Sequence, residues 1–390
     1  MVNRSLLVLV AVTLAIIAIA WNITTNRTPS TLIAKEVLYP NLVDAVNTVV
    51  QIEVHDNEQL TEIKLDDQQW KITTADGYAA EASKVKALVL SIAELEVLET
   101  KTSLAERYPR LGVEDVDQNG AESRRVALKN ASGETLVDLI VGKRKTGPSA
   151  SRSAVSALYV RKIGTPESLL VEGNVVANAD PSRWWDDNLI DVESDRIRQI
   201  RIERPGSDPI VLTREAFDAD FALIHIPVGK KLKSAAVLGS MANALSNLSF
   251  DNVSNSATVT VPAKTTTTTY SAFDGLVITA TLVEADGLIH TLFDARYDPS
   301  IVVTPVPDGS GGSEEPPQTS AIDAPETDES SDSSATVAEL AAQAITEEAA
   351  MLTERLQPWA FILPEYKLSL ITKTIDDLVN DIPPEESTEP

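Results

Sequence analysis

Two short motifs in this chain carry the residue types of a serine acyl-transfer enzyme. Ser83-x-x-Lys86 and Lys145-Thr146-Gly147 match two of the three motifs of penicillin-binding serine enzymes, in which the serine attacks and lysines shape its proton transfer. The third motif is missing between them. Ser83 also opens an apolar-periodic stretch, where a small hydroxyl side chain caps a helix, and Lys145-Thr146-Gly147 falls in a loop rather than on a strand. A capping serine fits better than a nucleophile. Gly142-Lys143 lacks the glycine spacing of a phosphate-binding loop. His55, His225 and His290 are far apart, with none of the i, i+2 or i, i+4 spacing of a ligand pair, and there is no cysteine. The chain is therefore read as non-enzymatic, with no catalytic, cofactor-binding or metal-ligating residues.

Two other clusters bear on recognition. Asp186, Asp187 and Asp191 stand beside Trp184 and Trp185; carboxylate oxygens suit calcium and indole faces suit a sugar ring, but EF-hand spacing is lacking. Tyr39-Pro40-Asn41-Leu42 occupies the matching place earlier in the chain, which favours an aromatic that closes a repeat onto its sheet. Arg107, Tyr108 and Arg110 form a turn rich in the residue types that anchor protein interfaces. A turn held by its own Arg to carboxylate pairs is the competing reading. The candidate partner-binding residues are thus Arg107, Tyr108, Arg110, Trp184 and Trp185.

Charge excludes one class of partner. The chain has 33 basic against 58 acidic residues, a formal net charge of -25, whereas a phosphate backbone demands a basic footprint; no nucleic-acid partner is expected. The first residues point to a membrane. Leu6 to Ile23 is an almost uninterrupted apolar run, including Leu6, Leu7, Val8, Leu9, Leu14, Ile16, Ile17, Ile19 and Trp21. As a helix it would span roughly 27 Å, close to the hydrocarbon thickness of a bilayer. Arg4 precedes it, which predicts an N-in, C-out signal anchor in the inner (cytoplasmic) membrane with the body in the periplasm. Ala18-Ile19-Ala20 also fits a small-x-small cleavage site, so a cleaved signal peptide is the alternative.

The body repeats itself. Asn41-Leu42-Val43-Asp44 aligns with Asn188-Leu189-Ile190-Asp191, and the alternating strands Val49 to Val54 and Ile197 to Ile202 follow. Each copy continues with a second strand (Glu62 to Leu65; Pro209 to Leu212), an aromatic-bearing third strand (Trp70-Lys71-Ile72; Phe221-Ala222-Leu223) and a helix. Val85, Leu88, Val89, Ile92 and Leu95 recur at helical spacing, as do Leu238, Met241, Ala242, Leu245 and Leu248. The unit predicted is βββα. Between the copies, Arg124 to Lys129, Leu136 to Val141, Ala157 to Ile163 and Ser168 to Val171 read as a β-meander. Ala257 to Val261, Leu276 to Glu284 and Leu288 to Asp294 add further strands, the last two joined at Asp286-Gly287.

The fold class expected is therefore α+β: an N-terminal transmembrane helix, two βββα repeats with mainly antiparallel sheets, an intervening β-meander and C-terminal helices. The divisions are 1–25 anchor, 26–105 first repeat, 106–180 meander, 181–255 second repeat, 256–306 additional strands, 307–335 disordered acidic linker, 336–382 C-terminal helical segment and 383–390 disordered tail. The linker is acidic, lacks basic residues and is rich in Pro, Gly and Ser, so it cannot bury enough apolar area to offset its ordering entropy. Helices are predicted at Val337 to Leu356 and from Lys367 to Val379, around Pro358-Trp359-Ala360-Phe361. A segment this apolar should dock back on the body, with a partner-binding arm as the alternative.

Several stretches carry a resemblance: Glu106-Arg107-Tyr108-Pro109-Arg110-Leu111-Gly112-Val113, Leu139-Ile140-Val141-Gly142-Lys143, Tyr159-Val160-Arg161-Lys162, Trp184-Trp185-Asp186-Asp187-Asn188-Leu189-Ile190, Phe273-Asp274-Gly275-Leu276 and Pro358-Trp359-Ala360-Phe361. Together they make the chain resemble uncharacterised membrane-anchored bacterial proteins of a domain-of-unknown-function family, encoded beside gliding-motility-type ABC-transporter auxiliary subunits. That resemblance implies a periplasmic accessory or scaffold role at an ABC-type exporter, with protein partners in that complex; it brings no catalytic residues. A periplasmic glycan- or peptide-binding module is the alternative function, and a hydrolase of unknown type the second.

Overall fold

A computed structural model describes residues 36–145, 156–302 and 330–382. The residues of the anchor, Leu6, Leu7, Val8, Leu9, Leu14, Ile16, Ile17, Ile19 and Trp21, lie outside the described residues, as do 303–329 and the tail 383–390. Among the described residues no helix is long and apolar enough to cross a membrane. The described chain divides into two compact units, one within Met1–Thr74 and Ala80–Pro181, the other within Ala75–Ala79 and Ser182–Pro390.

The first unit runs through β1 (Glu36–Val37), α1 (Leu42–Ala45), β2 (Val49–His55), β3 (Leu60–Asp66) and β4 (Gln69–Ile72). After β5 (Tyr78–Ala79), which is counted with the second unit, come α2 (Ala82–Ala93), β6 (Glu96–Thr100), α3 (Tyr108–Leu111), β7 (Arg124–Asn130), β8 (Thr135–Arg144), β9 (Ala157–Lys162) and β10 (Ser168–Glu172). Alternation places Ile52 and Val54 of β2 inside, and Val85, Leu88, Val89 and Ile92 make the buried stripe of α2. Each fully buried aliphatic side chain contributes about 1.5–3 kcal/mol. The sheet order is β1-β6-β10-β9-β8-β7-β2-β3-β4, so the meander is not a separate layer: β7 pairs directly with β2, Ile52 opposite Leu128.

The second unit contains β11 (Ile197–Glu203), β12 (Ile210–Thr213), β13 (Ala222–Leu223), β14 (Lys230–Leu232), α4 (Ala235–Ala242), β15 (Asn252–Asn255), β16 (Thr266–Ala272), β17 (Leu276–Ala285) and β18 (Leu288–Tyr297). Then follow α5 (Ser330–Leu356), β19 (Trp359–Ile362), α6 (Glu365–Ile371), α7 (Ile375–Leu378) and β20 (Val379–Asp381). Its main sheet reads β15-β19-β18-β17-β16-β11-β12-β13, and β14 pairs with β20 in a small ribbon. This is the order β6-β10-β9-β8-β7-β2-β3-β4 of the first unit, strand for strand. The irregularities match as well. The register slips between Val49 and Gln51 against β7, and between Ile197 and Gln199 against β16, a bulge at equivalent positions.

The duplication is therefore larger than the predicted βββα unit: each copy has its own meander, and the second takes its last meander strand, β19, from the C-terminal segment. That segment docks as predicted, but with a strand at Trp359–Ile362 and with the expected Lys367 to Val379 helix broken into α6, α7 and β20. The strand expected at Ala257 to Val261 is instead a 3-10 turn at Ser256–Thr258, capped by the Asn255 side chain. The Thr-rich β16 follows it, made a strand by pairing on both sides despite its weak hydrophobic pattern. At Asp286-Gly287, positive φ values of 52° and 76° make the expected tight hairpin between β17 and β18.

Candidate functional site

The Arg107 to Gly112 turn is built from three segments distant in sequence. Gly112 ends α3 with φ 67°, its amide bonded to the Tyr108 carbonyl. Gly142 in β8 lets this turn lie against the strand: a Cβ there would stand 2.5 Å from the Leu111 carbonyl oxygen and 2.7 Å from that of Gly112. Tyr108 is buried with Val113 and Ile140, and its hydroxyl donates to the Pro166 carbonyl. Arg161 from β9 lies over the Tyr108 ring, 4.8 Å from its centroid. Its Nε donates to the Val113 carbonyl at 2.9 Å and its Nη2 to Asp115.

This turn is held by a charge pair, but by Arg161 and Asp115 rather than by Arg107 or Arg110. Tyr108 is core, which corrects its nomination as a contact residue, whereas Arg107 and Arg110 are exposed. Arg161, Asp115 and Gly142 were missed as its supports. The available signal was a charged residue inside a β-run, Tyr159-Val160-Arg161-Lys162, which must find a partner if the strand is buried on both faces.

Trp184 and Trp185 are also buried, at 3% and 2% exposure, and so present no groove for a sugar or a partner. Within the second unit Trp185 stacks on Phe250 at 5.2 Å. Tyr78, from the Ala75–Ala79 segment, meets Trp185, Phe250, Trp359 and Phe361 edge-on at 4.9–6.3 Å. Burial pushes the Tyr78 hydroxyl up to about 12, with Asp186 adding to the rise and Arg355 opposing it. Asp186 accepts from the Asn188 amide and Asp191 from the Asn247 amide; they serve as local backbone caps. Tyr39, the counterpart in the first unit, donates to the Asp138 carbonyl, with the Lys162 ammonium over its ring at 4.6 Å.

The catalytic-looking motifs do not converge. Ser83 lies in the first turn of α2, and its hydroxyl bonds the Glu81 carboxylate, which also pairs with Lys84. Glu81 is held below its ordinary range first by the Ser83 hydroxyl and then by Lys84. Lys145 ends a described stretch, while Thr146-Gly147 lies outside it. His55 falls in the first unit, His225 and His290 in the second. Among the described residues no group of His, Asp or Glu is placed to hold a metal ion.

What the buried and half-buried cations do instead is tie backbone carbonyls and carboxylates within the fold. Arg214 donates to the carbonyls of Ile197, Phe217 and Ser194. Lys367 donates to those of Asn243 and Ser246 at the end of α4, and burial lowers its pKa against the opposing pull of Asp191. Arg196 bridges Glu348 of α5 and Asp274, which together raise its pKa, Glu348 foremost.

Residues 70–269 match the model of a protein family described as a domain of unknown function, DUF4340. The match opens in β4 and closes inside β16. No curated protein and no solved structure matches the chain.

Proposed function

From the premise that the chain belongs to the DUF4340 family, we propose that it is a non-enzymatic accessory or scaffold protein of an ABC-type exporter complex, held at the inner membrane by Leu6 to Ile23 with its body in the periplasm. The observation that supports this reading most is the commitment of its buried cations. Arg214 and Lys367 spend their hydrogen bonds on backbone carbonyls, and Arg161 divides its own between the Val113 carbonyl and the Asp115 carboxylate, so these groups fix two duplicated sheets rather than face a substrate. The exposed Arg107 and Arg110, on a turn braced by Arg161, make a rigid contact point for a partner.

The test is isolation of the full-length protein from its native membrane in mild detergent, with mass spectrometry of co-purifying proteins and of its own N-terminus. An intact Leu6 to Ile23 segment with exporter membrane subunits, lost in the folded Arg107→Glu, Arg110→Glu variant, is the expected result. A processed N-terminus without transporter subunits overturns the membrane-anchored accessory. Retention of every subunit by the variant removes the turn from the interface.

A further inference from the structure

The two units differ at the end of the second strand, beside the 3-10 turn that leads into the first. In the second unit this space is filled from within. Arg214 follows β12 directly and folds back under the 3-10 turn Ser194–Arg196. Its Nε donates to the Ile197 carbonyl at 2.7 Å and its Nη1 to Phe217 at 2.8 Å, with Nη2 on Ser194. The guanidinium carbon stands 4.7 Å from the Phe221 ring centroid and 5.7 Å from that of Phe273.

The first unit repeats this framework without the arginine. The 3-10 turn Val46–Thr48 leads into β2 as Ser194–Arg196 leads into β11. Ile52 opposite Ile63 corresponds to Ile200 opposite Leu212, so two residues further on Leu65 stands in the place of Arg214. By the same registers Trp70 takes the place of Phe221, and Ala131 that of Phe273. Leu65 is 39% exposed, and a groove of about 360 Å³ stays open between it, Trp70, Val46, Val49 and the Val85 and Val89 face of α2. That volume suits a side chain or small ligand.

We propose that this groove receives the guanidinium of an arginine from a partner polypeptide. The incoming group stacks on Trp70 and donates to carbonyls of the Val46–Thr48 turn, as Arg214 does for the second unit. A carbonyl oxygen has two lone pairs, so a turn carbonyl already bonded in its own helix still accepts a second donor. Asp66 and Asp67 follow Leu65 directly, and Asp44 precedes the turn. Lys71 pairs with Asp66, and Lys86 is the opposing cation at the groove. The inference stands independently of the exporter assignment, since it rests on the duplicated geometry alone.

Indole-labelled full-length protein titrated with N-acetyl-arginine amide gives the test, with N-acetyl-norleucine amide and N-acetyl-lysine amide as comparisons. The expected result is a saturable shift of the Trp70 indole resonance, about tenfold tighter for arginine than for norleucine through stacking and hydrogen bonding. Leu65→Arg, which supplies the guanidinium from within, is expected to shift Trp70 unaided, raise the melting temperature and abolish the titration. Norleucine binding as tightly as arginine makes the groove a purely apolar site and overturns the proposal. So does a folded Leu65→Arg protein in which Trp70 is unmoved and stability falls.

Discussion

The two units share one strand order and one bulge, yet they close it by different routes. In the first, β9 passes to β10 through residues 163–167, and five residue pairs join the two strands. In the second, the equivalent passage from β18 to β19 takes residues 298–358, and only His290 with Ile362 and Thr291 with Phe361 are paired. The long passage brings α5, which lies along the part of β18 that β19 does not reach. A sheet can thus accept a large excursion between adjacent strands, because the entropy lost on closing a loop grows only logarithmically with its length. The same segment then has to supply the missing edge cover itself.

The largest effect should come from ending the chain after Val302. This removes β19 from between β18 and β15, and with it Leu356, Phe361, Leu363, Ile371, Leu378 and Val379, all buried. At about 1.5–3 kcal/mol each, their loss is on the order of 9–18 kcal/mol, comparable with the whole stability of a domain. Hydrogen exchange of the truncated chain should show the second unit unprotected and the first unit native. Persistent protection in β16, β17 and β18 would mean that the C-terminal segment is an arm and that the two units are not built alike.

How much of this was legible in the sequence depends on what each residue answers to. β2, β11 and α2 were readable because local periodicity and burial agree in them, and Asp286-Gly287 because its backbone angles demand those residues. The identity of the two sheets was hidden for two reasons. The second copy's last meander strand is separated from the rest by residues 298–358, and β16, Thr-Thr-Thr-Thr-Tyr-Ser-Ala, owes its strand to its neighbours. Among the candidate contact residues, exposure was what sequence could not supply. Arg107 and Tyr108 are adjacent, but the Pro166 carbonyl and the Arg161 side chain, both remote in sequence, decide that Tyr108 faces inward.

Exchanging the groove residue between the copies sharpens the comparison at an intermediate magnitude. Arg214→Leu gives the second unit the side chain of the first, and leaves the carbonyls of Ser194, Ile197 and Phe217 without the donor that buries with them. About 3 kcal/mol of destabilisation is expected, because buried acceptors lose charge-assisted bonds and stacking on Phe221 together. Chemical denaturation followed by probes in each unit separates the effect: the midpoint of the second unit should fall while that of the first stays fixed. An unchanged midpoint would mean that Arg214 only fills space that a leucine fills equally well.

The smallest effect concerns the edge that α5 covers. Ala295 of β18 has its amide and carbonyl turned away from β17, at a height where β19 offers no pairing. Thr353 of α5 meets both: its hydroxyl accepts from the Ala295 amide at 3.3 Å and donates to the Ala295 carbonyl at 2.6 Å. By the same registers the counterpart of Ala295 in the first unit is Gly164, in the turn just past the end of β9, so the hydroxyl covers an edge that exists only because β18 runs longer than β9. Thr353→Val keeps the shape and removes the bonds, so about 1 kcal/mol should be lost, with faster exchange confined to the Ala295 amide and its neighbours. Equal protection of Ala295 in the variant would show that apolar contact with α5 alone shields this edge. The hydroxyl would then be incidental to how the second unit covers the longer edge of β18 with a helix.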